Sequence, residues 1–320
     1  VWTVPSLDVR EGPDSEAVAL FVERARAVVH DFSLDRPTDT ASAVVEICRR
    51  LDGIPLAIEL AASRIVSMSP VDVRDRLDDR FRLLSGSRRG LEPHHTLRHA
   101  VQWSYDLLEG DEQVLLQYCS VFAGDFDLAA AVAVSGDDDE YEVLDLLDAL
   151  VRKSLLVVDR AQSPTRYSML ETIRQFAEDH LADSAHGEAA RGAHARHYLQ
   201  RVVGIYEVWN SPDQRDAYDW FHTDFANLRA AFRWSADRSD LDTAATIVTR
   251  ASFLGWHQER FETTAWAEET LPAARAANHP QLLGLYSAAA ICCIAGRLDE
   301  ALEYSNAGWA LIDDPHYDHG

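Results

Sequence analysis

Between Cys48 and Arg64 the chain reads CRRLDGIPLAIELAASR, and this stretch limits the fold more than any other. Gly53 and Pro55 bracket an abrupt helix start: glycine supplies the bend, and proline lacks only an N–H that the first turn leaves unpaired. Leu56, Ala57, Ile58, Leu60, Ala61, Ala62, Ile65 and Val66 follow, with only Glu59, Ser63 and Arg64 polar among them. A helix apolar around most of its circumference needs neighbours on several sides, so flanking helices must wrap it. At about 12 residues it is too short to cross a bilayer.

The flanks supply those neighbours. Ser15 to Val29 carries Ala17, Leu20, Phe21, Ala25 and Val28 at helical spacing, with Asp14 or Ser15 placed to cap it. Thr38 to Leu51 repeats the pattern with Ala41, Val44, Val45 and Cys48. Ser69-Pro70 opens a short helix over Val71 to Leu77, and Phe81 to Leu84 leads into the linker SGSRRG. The expectation is a compact four-helix unit over residues 14–84.

Beyond the linker the helices are Thr96 to Leu108, Asp111 to Phe122, Asp127 to Val134 and Asp139 to Lys153. The period then shifts: Ser154 to Asp159 and Thr165 to Met169 read as two strands joined by RAQSP, with a helix from Glu171 to Ala182 after them. Several helices and a two-stranded hairpin are the content of a winged-helix domain. Such a fold often reads DNA, but residues 95–185 hold six Lys or Arg against eighteen Asp or Glu. The helix before the hairpin would carry Glu140, Glu142, Asp145 and Asp148 toward phosphates, which opposes DNA binding by this module.

From His186 onward only helices and short turns are expected: His186 to Tyr206, Ala217 to Ala236, Asp240 to Gly255, Glu259 to Ala276, Gln281 to Ala295 and Leu298 to Ile312. Gly296 and Ala301, with Ala288 and Ala289 upstream, fit small-residue positions where paired helices of a tetratricopeptide-like repeat approach closely. Cys292 and Ser305 depart from that pattern, standing where larger side chains usually pack. Trp209, Trp220, Trp234, Trp256, Trp266 and Trp309 crowd this half, either as helix packing or as part of a ligand or peptide groove.

A formal charge of −23 repels phosphate backbones. Cys48, Cys119, Cys292 and Cys293 form no metal-ligand spacing, which points to a reduced, cytoplasmic protein. The opening VWTVP reads as the last strand of a domain whose remainder lies upstream, so a fragment is expected. His95 and His99, beside His94, and His194 and His197 have helical spacing for a metal pair; without a convergent third ligand they read as solvent-facing. Asp137-Asp138-Asp139-Glu140 lacks the glycine and terminal glutamate of a calcium loop. No catalytic and no metal-binding residue is assigned.

VPSL at 4–7, EAVALFVERARAV at 16–28, CRRLDGIPLAIELAASR at 48–64, LDDRFRLLSGSRRG at 77–90, TLRHAVQWSYDLL at 96–108, VFAGDFDLAAA at 121–131, LLDALVRKSLLVV at 146–158 and YSMLETIRQFAEDHL at 167–181 occur in this order. Together they resemble the C-terminal part of the NB-ARC-type signal-transduction ATPases (STAND) found in bacterial LuxR- and AfsR-like transcriptional regulators. The resemblance implies a mainly α chain in three parts. Residues 1–90 would be the end of a nucleotide-binding domain plus its helical lid, 91–185 a winged-helix domain, and 186–320 a tetratricopeptide-like array. It also implies an ATP- or ADP-controlled switch, with Gly53-Ile54-Pro55 as the family's glycine-x-proline motif and Pro55 against adenine. Arg50, just before that turn, is the candidate for a phosphate or an acidic partner.

This chain departs from the family where a Met-His-Asp triplet would lock ADP: it has Met169-Leu170-Glu171, leaving Glu171 to cap or orient the next helix, and Tyr167 and Met169 to the hairpin core. It also has no G-x-x-x-x-G-K-[ST] loop, so catalysis by these residues alone is not expected. ATP or ADP would bind only together with an upstream domain. The expected function is therefore a nucleotide-gated regulatory segment whose array senses a protein or small ligand. The alternative is a non-catalytic interaction scaffold without nucleotide control. DNA would be reached only through another domain, no membrane is involved, and self-association stays open.

Overall fold

In a computed structural model the described residues are 6–34, 39–51, 53–55, 58, 61–62, 65, 68–75, 101–102, 105–106, 108–137, 139–153 and 155–317. The expectations for residues 1–4, for Phe81 to Leu84, for the SGSRRG linker, and for His94, His95 and His99 lie outside them. The fold is mainly α with one two-stranded sheet. The chain divides into two compact units, residues 1–114, 149–157 and 169–179 in one, and residues 115–148, 158–168 and 180–320 in the other.

The first unit is organised by α1 (Glu16–Val28), α2 (Asp39–Arg50) and α3 (Pro70–Asp75). Ser15 caps α1, its hydroxyl accepting from the Val18 amide, so one of the orphan donors of the first turn is satisfied. Phe21, Ile47, Leu51 and Ile58 are fully buried together, and Ala17, Ala61 and Ala62 let the backbones approach. Pro55, Ile58, Ala61 and Ala62 are helical, and Ile58, Ala61 and Ala62 share one core with α1 and α2.

The helices and the two-stranded hairpin expected of a winged helix follow. In chain order they run α4 (Gly110–Cys119), α5 (Leu128–Ser135), α6 (Glu140–Arg152), β1 (Val157–Asp159), β2 (Arg166–Ser168) and α7 (Glu171–Ala182). Asp127 caps α5 by accepting from the Ala130 amide at 2.8 Å, and Gly136, at φ 70, ends it in the left-handed conformation. The strands are shorter than the apolar run predicts. The Leu155 amide donates to Leu150 O, which turns Leu155 and Leu156 into the interior at the end of α6 before the ladder begins.

The helical repeat array follows with α8 (Gly187–Trp209), α9 (Gln214–Asp237), α10 (Leu241–His257), α11 (Glu262–Ala277), α12 (Leu282–Ala290) and α13 (Leu298–Trp309). Consecutive helices pack in pairs, and α8, α10 and α12 also pack side by side to form one face. The helix expected over Gln281 to Ala295 tightens at Ile291–Ala295 into a 3-10 turn. Gly296 is no close-approach position: it ends this turn at φ 81, with open space where its side chain would be. The close approaches are at Gly255, Gly284 and Gly308, whose absent side chains admit Thr263, Thr249 and Tyr286.

Candidate functional site

Each residue predicted to face a nucleotide has a defined place in the first unit. Gly53 follows α2 at φ 66; its amide donates to Cys48 O at 3.2 Å, and its carbonyl accepts from the Leu7 amide at 2.9 Å. A Cβ on Gly53 would overlap the Leu7 carbonyl oxygen, so both the backbone angle and the packing demand glycine. The Ile54 amide returns to Leu51 O, and Pro55 opens the next helix with its ring exposed. Arg50 is engaged elsewhere: its Nε donates to Glu46 at 2.9 Å and its Nη1 to the Arg74 carbonyl at 3.2 Å. The turn is thus pinned by backbone hydrogen bonds with Pro55 exposed, and Arg50 is engaged by α2 and α3.

In the second unit, strand β2 is tied to the array by buried charge. Arg166 donates from Nη2 to Asp224 Oδ1 at 2.8 Å and to Asp125 O at 2.7 Å, and the Tyr198 hydroxyl donates to the same Asp224 oxygen at 3.1 Å. Arg166 and Asp224 are both almost wholly buried. Burial pushes the Asp224 carboxyl up from its ordinary range, while the Arg166 guanidinium and Tyr198 pull it back. Asn227 completes the clamp, accepting from the Ala123 and Gly124 amides and donating to Asp125 O. Phe126 pairs backbone to backbone with Tyr167, and its ring stacks on Phe122 at 4.3 Å, which places Tyr167 in the hairpin core as its sequence position predicts.

His194 does not face solvent. It is 3 % exposed, with its ring against Phe122 at 5.4 Å and Tyr198 at 4.7 Å, and desolvation lowers its pKa to about 3. His197 is half-buried, and desolvation lowers its pKa as well. Both rings serve packing, His194 against Phe122 and His197 edge-on to Tyr198 at 5.1 Å. Among the described residues no group of His, Cys, Asp and Glu is arranged to hold a metal ion. Burial pushes the Cys48 thiol up to about 12, far from a reactive thiolate. In the first unit Glu171 orients α7 by gripping Arg174 at 2.7 Å, and Arg174 also holds Glu178.

The face made by α8, α10 and α12 holds a cavity of about 310 Å³. Tyr206, Phe253 and Trp256 are among its lining residues, with the Tyr206 and Phe253 rings 6.3 Å apart and the Phe253 and Trp256 rings 6.3 Å apart, both edge-to-face. Arg250 lies over the Tyr206 ring at 4.9 Å. Gln281 is held at the rim, accepting from Thr249 and donating to Thr246 at 2.8 Å. Phe253 and Trp256 are 36 % and 47 % exposed, large rings left open beside a concavity rather than buried as packing. Trp209, Trp220 and Trp266 are buried and serve helix packing.

The winged helix-turn-helix domain family matches residues 108–182. A protein of Mycobacterium tuberculosis named as an HTH-type transcriptional regulator is 44 % identical over 251 residues, which are 78 % of this chain and 28 % of that protein. An uncharacterized protein of the same species is 42 % identical over 203 residues, 62 % of this chain and 50 % of its own length. The regulatory protein AfsR of Streptomyces coelicolor is 25 % identical over 92 % of this chain and 32 % of its own. The chain therefore spans half or less of each of these relatives.

Proposed function

We propose that this chain is a non-catalytic regulatory segment of a transcriptional regulator, whose helical array is the surface that receives a protein or small-ligand signal. The observation that carries this reading is the open aromatic cavity on the α8–α10–α12 face, in a chain whose similarity over most of its length is to HTH-type regulators. The clamp of Arg166 and Asn227 supports a path by which an event on the array reaches the hairpin, because β2 and α9 are joined by buried polar contacts. DNA contact is assigned to sequence outside these residues: Glu140, Glu142 and Asp145 are exposed along α6, where phosphates would meet like charge. The test is transcript profiling of a bacterium carrying Trp256→Ser in the gene. The expected profile reproduces that of the deletion strain, and a wild-type profile refutes the reading.

The exposed Pro55 ring beside a closely packed glycine turn favours a second reading, the lid of an ATP or ADP site. The residues present do not make that site alone. No phosphate loop occurs in the sequence, and Arg50 is bonded to Glu46 and Arg74. A phosphate loop would have to come from outside these 320 residues. In the same profiling experiment, Pro55→Ala reproducing the deletion profile while Trp256→Ser does not would favour nucleotide control.

A further inference from the structure

We propose that the cavity between α8, α10 and α12 binds an uncharged planar aromatic molecule of naphthalene size. The proposal rests on the array being the sensing surface, and it names the chemical class of what is sensed. A volume of about 310 Å³ lies at the small end of ligand pockets, enough for a fused ring system and too little for a helix. Tyr206 of α8 and Phe253 and Trp256 of α10 bring rings to the lining, and Leu283, Ala288 and Ile291 bring aliphatic surface. Phe253 meets both other rings edge-to-face, and it and Trp256 stay 36 % and 47 % exposed. Open ring surface of this kind is covered best by another flat π-system. The seam beneath is closed at Gly284, where a Cβ would meet Thr249 Cγ2 of α10 at 2.8 Å.

That the ligand is uncharged follows from how the polar side chains of the lining are committed. The Ser252 hydroxyl donates to Val248 O at 2.7 Å, the Ser287 hydroxyl to Leu283 O at 3.1 Å, and the Thr249 hydroxyl lies 3.2 Å from both Thr246 O and Gln281 Oε1. Gln281 Nε2 in turn donates to Thr246 at 2.8 Å. Arg250 lies over the Tyr206 ring at 4.9 Å and is engaged elsewhere as well, so its charge already has partners. An anion would have to draw donors out of these bonds, and a cation would find no aspartate or glutamate among the described residues that line the cavity. The serine oxygens keep lone pairs, which suits a ring that carries a hydroxyl or N–H donor.

The test is calorimetric titration of three probes into the 320-residue chain at pH 7. They are 2-naphthol, decahydro-2-naphthol with the same skeleton and no aromatic ring, and 2-naphthoate with the same ring and a negative charge. Saturable binding of 2-naphthol is expected, about threefold to tenfold tighter than the saturated alcohol, the size of an aromatic contact, and about tenfold or more tighter than the acid. Trp256→Ser should weaken 2-naphthol by about tenfold. Ser287→Trp, at an exposed position of the lining, should abolish its binding with unchanged circular dichroism and melting temperature. Absence of saturable 2-naphthol binding, equal or tighter binding of the saturated alcohol or of the acid, or full binding by the folded Ser287→Trp protein would overturn the proposal. Transcript profiling separates this from the regulatory reading: 2-naphthol binding with a wild-type profile for Trp256→Ser refutes the array as sensor, and a deletion-like profile without binding refutes the ligand class.

Discussion

Gly53 combines two demands at one Cα, a left-handed backbone and contact with the Leu7 carbonyl. Gly53→Ala is expected to cost about 3 kcal/mol or more, since the strained angle and a clash with backbone both add, and urea unfolding of the variant measures it. His194 makes a pH prediction. Its folded pKa of about 3 lies below the unfolded value, so between pH 6.5 and 3 the unfolded chain holds the extra proton and stability falls as pH falls. Relative to His194→Gln, the wild type should lose up to about 1.4 kcal/mol per pH unit below 6.5. Asp125 and Asp224, both raised by burial, push the other way in both proteins, so the difference between their urea midpoints at pH 7 and 5 isolates the histidine. Gly53 was legible because glycine before a proline at a helix start has a local cause. His194 was not: its neighbours in GEAARGAHARHYL are mostly small or polar, and the ring that buries it, Phe122, comes from far earlier in the chain.

The helices of the array owe their mutual positions to a few buried anchors. Trp266 of α11, fully buried, lies nearly parallel to Phe225 at 5.6 Å and Phe232 at 4.7 Å, both of α9. Trp266→Ala should destabilise by about 3–5 kcal/mol through the cavity it leaves, as denaturant unfolding will report. The join between β2 and α9 is a buried ion pair, so removing one partner should be worse than removing both. Arg166→Met or Asp224→Leu alone is expected to cost about 3–5 kcal/mol and the double variant much less, a coupling that a double-mutant cycle reads directly. Helix existence was legible from the apolar period, and the ends of α7 agree with the sequence reading. The strands and the last turns were not. Their limits depend on Leu155 turning inward and on the 3-10 tightening after Ala290, neither of which leaves a local signal.

For the chain as a whole, order along the sequence was more legible than function. A winged-helix-like region and a helical array follow one another as the motifs predict, because each is coded by local period and composition. The cavity had no such code: Tyr206, Arg250, Trp256 and Leu283 stand on three helices, and only the stacking of α8, α10 and α12 brings them together. Among the described residues no helix is long and apolar enough to cross a membrane. The exposed stripe of Leu298, Leu302 and Trp309 on α13 is a second apolar face of the array. On the proposed reading these residues regulate through the array and make no nucleotide site of their own. The most direct measurement is calorimetric titration of ADP and of magnesium-ATP into this chain. The predicted result is no heat beyond dilution with either; saturable binding that Pro55→Ala weakens would refute this reading and restore the gated switch.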